Sequence, residues 1–138
     1  MLECLILGDS IAVGTHQQRP ECVAYAKGGI NSWQWTNKNI TRDLTAKTVI
    51  ISLGSNDHSG VKTHKELLAI RELTKAERVY WILPAGNLKA SGVDISKIQA
   101  NINEIAKQYG DVVLPFQPSR DGIHPTTQGY RELAKATR

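Results

Sequence analysis

The stretch Thr48-Val49-Ile50-Ile51-Ser52-Leu53-Gly54-Ser55-Asn56-Asp57 decides the fold. Its first six residues are a near-continuous β-branched and apolar run. A strand apolar on both faces is what a buried parallel sheet requires. Four further runs have strand character: Leu2–Leu7, Cys22–Ala26, Arg78–Leu83 and Asp111–Phe116. Helical patterns lie between them. Thr63-His64-Lys65-Glu66 has the spacing of a capping box and opens a stretch bearing Leu67, Leu68, Ile70 and Leu73. Ile95, Ile98, Ile102, Ile105, Ala106 and Tyr109 recur at helical spacing, with Gly110 as the stop. Asn31–Ile40 is a weaker helix, Ser10 begins another, and Pro125 is placed at the start of a last one bearing Tyr130, Leu133 and Ala134. This alternation predicts an α/β fold: an open parallel sheet with helices on both faces, built by residues 1–138 as one domain.

Composition agrees with one ordinary globular domain. The chain has 138 residues, 41% hydrophobic and 22% charged. No apolar run approaches the roughly 20 residues that span a bilayer, so no membrane insertion is expected. Leu5-Ile6-Leu7 leads straight into Gly8-Asp9-Ser10, which reads as a first strand and not as a signal peptide. The default expectation is a cytoplasmic protein, or an extracellular one if the chain belongs to a larger phage or surface protein. The net charge is +4 and the pI near 9.2, but the basic residues are scattered, often beside acids, as in Lys65-Glu66 and Arg131-Glu132. That is the pattern of solvated helix faces, not of a nucleic-acid surface. Cys4 and Cys22 lack metal spacing and are expected as unpaired, buried small hydrophobes, with a disulfide the less favoured alternative if strands 1 and 2 are neighbours.

In an open parallel sheet, ligands bind outside the carboxyl ends of the strands. Every unusual polar cluster here follows a strand end: Gly8-Asp9-Ser10, Lys27-Gly28-Gly29-Ile30-Asn31-Ser32, Gly54-Ser55-Asn56-Asp57-His58, and Arg120-Asp121-Gly122-Ile123-His124-Pro125. A serine hydroxyl is a weak nucleophile that needs a base, and the base needs an orienting acid. Ser10, His124 and Asp121 supply these three types. Gly122 permits the tight turn that brings Asp121 beneath the imidazole. An oxyanion would be met by the free amide of Ser10 at a helix start and by the side-chain amide of Asn56. A further backbone amide would come from Gly29 or Ser32. Asp9 and Asp57 are assigned to local hydrogen bonding, and His16 and His64 to the surface.

The three blocks Gly8-Asp9-Ser10, Gly54-Ser55-Asn56-Asp57 and Asp121-Gly122-Ile123-His124-Pro125 stand in the order found in the SGNH hydrolases, also called GDSL-type esterases. The chain resembles that family over nearly its whole length. The resemblance implies a three-layer α/β/α, flavodoxin-like fold with five parallel strands in the order 2-1-3-4-5. It also implies Ser10 as nucleophile, His124 as base, Asp121 as orienting acid and Asn56 as oxyanion donor. The second block departs from the family's usual G-x-S-G-D. If Gly29 takes the place of its first glycine, Ser32 falls on the oxyanion position and is slightly favoured over Gly29.

The expected activity is hydrolysis of a small-acyl ester through an acyl-enzyme, with an O-acetyl group on a carbohydrate as the favoured substrate. The chain has little material for a lid or a long acyl channel. No metal or organic cofactor is implied. Trp33, His58 and Asn87 are candidates for the pocket wall, whereas Trp35 and Trp81 read as core. Rival readings are a thioesterase or lysophospholipase of the same family, and a non-catalytic flavodoxin-like domain that binds an anion or a carbohydrate. Oligomeric state is not legible.

Overall fold

β3 (Ala46–Ser52) is the middle strand of a five-stranded, all-parallel sheet ordered β2-β1-β3-β4-β5 in the computed structural model, which describes residues 1–86 and 93–138. The other strands are β1 (Leu2–Gly8), β2 (Val23–Ala26), β4 (Arg78–Ile82) and β5 (Val112–Leu114). The helices are α1 (Ser10–Gln18), α2 (Ser32–Asn39), α3 (Thr63–Leu73), α4 (Ile95–Tyr109) and α5 (Thr127–Ala136). Val49, Ile50 and Ile51 of β3 are fully buried, as their two-sided apolar pattern requires. Each such side chain contributes roughly 1.5–3 kcal/mol by leaving water.

Successive β3 residues face opposite layers. Val49 and Ile51 join Leu5, Leu7, Trp35, Leu67, Ile98 and Ile102, the layer of α2, α3 and α4. Ile50 joins Ile6, Ile11, Ala12, Ile82 and Leu133, the layer of α1 and α5. The fold is therefore the expected three-layer α/β/α arrangement, and the strand order is the expected one. Among the described residues, no helix is long and apolar enough to cross a membrane.

Four local expectations are corrected. β5 stops at Leu114 because Pro115 has no N–H to give to the ladder. Thr63 does not cap α3: it is the first helical residue, and its hydroxyl is taken by Asp57 Oδ2 at 2.7 Å. A capping box forms instead at α2, where Asn31 Oδ1 accepts from the Gln34 amide and Gln34 Oε1 accepts from the Asn31 amide. The last helix starts at Thr127, capped by Thr126, while Pro125 lies before it in a bridge with Pro118. Cys4 and Cys22 are not free thiols. They form a disulfide with a Cα–Cα distance of 4.8 Å, because the β1–β2 pairing brings Cys22, just ahead of β2, beside β1.

Candidate active site

The exit of β1 is built by close backbone contact. Gly8 has a φ of 146°, and any side chain there would run into the Ser52 carbonyl. Only glycine lets β1 and β3 approach so closely at this turn. The Asp9 amide then donates to the Ser52 carbonyl at 3.0 Å, and Asp9 becomes the N-cap of α1. Its Oδ1 accepts from the Ile11 amide at 3.0 Å and from Ser52 Oγ at 3.3 Å. Asp9 is fully buried, and its Oδ2 has no hydrogen-bond partner among the described residues. Burial pushes its carboxyl up to about 7, against the lowering effect of those hydrogen bonds. Ser10 is the first residue of α1, so its amide points out of the helix end with no acceptor among the described residues.

The closing loop runs from β5 to α5, which shares the layer of α1, and reaches Ser10 there. Ser10 Oγ lies 2.8 Å from His124 Nε2, and His124 Nδ1 lies 2.7 Å from Asp121 Oδ2. Asp121 Oδ1 accepts from the amides of Ile123 and His124, each at 2.8 Å, and from Ser119 Oγ at 3.1 Å. Those backbone donors, followed by the His124 side chain, hold the Asp121 carboxyl well below the usual carboxylate range. An ionised Asp121 places the proton on His124 Nδ1. Nε2 is then the acceptor for the Ser10 hydroxyl proton. Gly122 takes a left-handed φ of 73°, and Gly86 packs its backbone against the Gly122 carbonyl so closely that a side chain at 86 would overlap it.

The groups expected around the oxyanion divide. Asn56 is half-buried and donates one amide proton to the Ile30 carbonyl at 3.1 Å, and its second has no acceptor among the described residues. Ser32 is corrected: its amide is occupied, donating to Asp57 Oδ1 at 2.8 Å, and the residue is fully buried. Asp57 is itself fully buried and spans the Ser32 amide and the Thr63 hydroxyl, pinning the starts of α2 and α3 together. Gly29 sits in an exposed turn with φ of 79°, and its amide has no acceptor among the described residues. Sequence reasoning missed Gly28. A Cβ added there would lie 3.8 Å from Ser10 Cβ, so this turn abuts Ser10. The Gly-Gly pair was the available signal.

His58 is exposed, with Nδ1 accepting from the Gly60 amide at 3.1 Å. It lines a cavity of about 300 Å³ with Thr63, Asp94, Lys97 and Ile98. Trp33 is 56% exposed on the first turn of α2. Trp35 and Trp81 are core, each with a satisfied indole N–H: Trp35 donates to the Tyr25 carbonyl and Trp81 to Asp111. His16 and His64 are half-buried, not exposed; His16 Nε2 lies 2.9 Å from the Cys22 carbonyl. Asn87 lies outside the described residues. Among the described residues, no group of three or more His, Cys, Asp or Glu side chains is placed to hold a metal ion.

The sequence matches no protein-family model, and no curated protein matches it. The fold does match solved structures. A candidate acylhydrolase from Bacteroides fragilis is 18% identical, with a TM-score of 0.71 over 97% of this chain and 83% of that one. A GDSL-like lipase from Bacteroides thetaiotaomicron is also 18% identical, with a TM-score of 0.68 over 99% of this chain and 85% of that one. The C-terminal catalytic domain of Streptococcus pneumoniae peptidoglycan O-acetyltransferase A, solved with a methylsulfonyl adduct, is 15% identical, with a TM-score of 0.65 over 96% of this chain and 86% of that one. The fold is thus that of the GDSL-type hydrolases.

Proposed function

We propose that this chain, folded as a GDSL-type hydrolase, is a serine esterase that removes a small acyl group, with an O-acetyl ester on a carbohydrate as the favoured substrate. The observation that carries this is the unbroken chain of contacts from Ser10 Oγ to His124 to Asp121, at 2.8 and 2.7 Å, at the carboxyl end of the sheet.

Ser10 Oγ attacks the ester carbonyl carbon as its proton passes to His124 Nε2. The carbonyl π electrons move to the oxygen, which becomes the oxyanion. The donors assigned to it are the Ser10 amide, the free proton of the Asn56 amide and the Gly29 amide, which replaces Ser32. Loss of one such donor typically costs about 10²–10³ in rate. The tetrahedral intermediate collapses, the ester C–O bond breaks, and His124 gives its proton to the leaving alcohol. Water then attacks the acyl-Ser10 ester with His124 again as base, releasing the acid. Asp121 stays ionised throughout and stabilises the imidazolium.

Two features support the substrate and setting. The likeness to an O-acetyltransferase domain favours a short acyl group. The Cys4–Cys22 disulfide favours an oxidising compartment over the cytoplasm first expected. Treatment with a fluorophosphonate followed by intact mass measurement tests the nucleophile: one adduct is expected on the wild type and none on Ser10→Ala. An equal adduct on both proteins refutes the assignment. An acyl-length series tests the substrate, and faster turnover of decanoyl than acetyl esters would rule out the small-acyl reading.

A further inference from the structure

Two adjoining cavities flank the Gly28–Gly29 turn. One, of about 250 Å³, is lined by Lys27, Gly28, Gly29, Ile30, Gln34 and Lys38. The other, of about 160 Å³, shares Lys27, Ile30 and Lys38 and continues to Tyr25, Asn39 and Arg42. Gly28 lines the first cavity and abuts Ser10, so that cavity borders the turn beside Ser10, and the second continues from it. Three cations line them and, among the described residues, no carboxylate does. Among the described residues, Lys27, Lys38 and Arg42 form no ion pair.

Arg42 is also held in place. Its Nε donates to Asn39 Oδ1 at 3.0 Å, and its guanidinium carbon lies 4.4 Å from the centroid of the Tyr25 ring. Asn39 is buried and anchored by donating to the Trp35 carbonyl at 3.1 Å. The terminal guanidinium nitrogens therefore form a positioned fork with no acceptor among the described residues, the geometry that takes a carboxylate or phosphate. Lys27, Lys38 and Arg42 are exposed around one pair of cavities, where like charges without a counter-ion repel one another and a bound anion relieves that repulsion.

We propose that the cavity pair lined by Lys27, Lys38 and Arg42 is a substrate subsite for an anionic group, a carboxylate or a phosphate, carried by the leaving-group side of the ester. This rests on the esterase reading and adds a substrate class to it: acylated alcohols that bear a negative charge.

The test compares 4-acetoxybenzoate with its neutral counterpart 4-acetoxybenzamide, each rate corrected for alkaline hydrolysis without enzyme. The wild type is expected to show a kcat/KM about tenfold higher for the anionic ester, the effect of a few partly screened charges. High salt should shrink that ratio. Lys38→Gln with Arg42→Gln should bring it close to one, and Lys38→Glu alone should bring it below one. A wild-type ratio near one, or a ratio unchanged in both variants, overturns the subsite while leaving the esterase reading standing. 4-Acetoxyphenyl phosphate is the second arm: a ratio above that of the carboxylate assigns the site to phosphate, and one below it to carboxylate. If neither acetyl ester is turned over, the esterase reading fails, and binding alone decides the subsite. For that, 4-hydroxybenzoate is titrated against the nitrogen-15-labelled protein. Saturable shifts of the Gly28 and Gly29 amides and the Arg42 Nε–H support the site, and their absence overturns it.

Discussion

Asp9 and Asp121 flank the same serine–histidine pair from opposite surroundings. Asp9 is fully buried at the exit of β1, with one carboxylate oxygen unpartnered among the described residues and its pKa raised to about 7. Asp121 stands on an exposed loop, its side chain 48% accessible, yet three donors meet one of its oxygens and the imidazole meets the other. Solvent exposure already favours an ionised Asp121, and the aimed donors lower its pKa further; Asp9 has too few donors to offset its burial. The β1 exit is part of the core, whereas the closing loop is exposed and, on the esterase reading, serves the chemistry. Changes at the first should register in stability and changes at the second in turnover.

The largest expected effect tests the exposed side. Asp121→Asn should lower kcat by about 10⁴, through loss of the correct imidazole tautomer, with little change in Tm. A loss below tenfold, measured on an acetyl ester, would break the comparison. Asp9→Asn probes the buried side and keeps the cap acceptor. A carboxyl whose folded pKa is raised binds its proton more tightly in the folded state than in the unfolded one. The wild type should thus lose stability as pH rises from the ordinary carboxylate value toward 7, by up to about 4 kcal/mol, and level off above it. Urea denaturation from pH 4.5 to 8 should show that slope in the wild type and a flatter profile in Asp9→Asn. Asp121, with its lowered pKa, works in the other direction. Its contribution is present above the ordinary carboxylate pKa and is lost only in stronger acid.

Reduction of the Cys4–Cys22 disulfide should cost about 3 kcal/mol, the loop-closure entropy of a short loop, again on the buried side. Equal denaturation midpoints with and without reductant would argue against that bond. The smallest effect sharpens the comparison. Gly86→Ala forces the β4 exit against the Gly122 carbonyl and shifts the loop that holds Asp121 and His124. A displacement near 1 Å should cost about 10² in kcat with KM nearly unchanged. A fall in Tm without a fall in kcat would show that Gly86 serves the fold and not the site.

Much of this was legible in the residues. The β-branched run of β3 and the polar clusters after β1, β3 and β5 are local patterns, and local patterns survive reading one residue at a time. Gly110 is another case: it ends α4 in the left-handed conformation its position suggested. Thr63 and Ser32 were misread because each looked like a free group in its own stretch. Asp57, 6 and 25 residues away, claims both. The Cys4–Cys22 bond was ranked below free thiols because strand order alone does not set register, and the pairing of Leu5 with Val23 is what brings the two cysteines together.

The sequence by itself determined the layered α/β architecture and the residue types at its strand exits, since periodicity and turn chemistry are properties of neighbours along the chain. Only the tertiary structure decided which of those residues meet. It brought Ser10 to His124 across 114 positions, withdrew the Ser32 amide from use, set Gly28 beside Ser10, and gathered Lys27, Lys38 and Arg42 around two adjoining cavities. The physical reason is that a hydrogen bond or a charge acts across a few ångströms of space, and sheet pairing, not sequence distance, sets that separation.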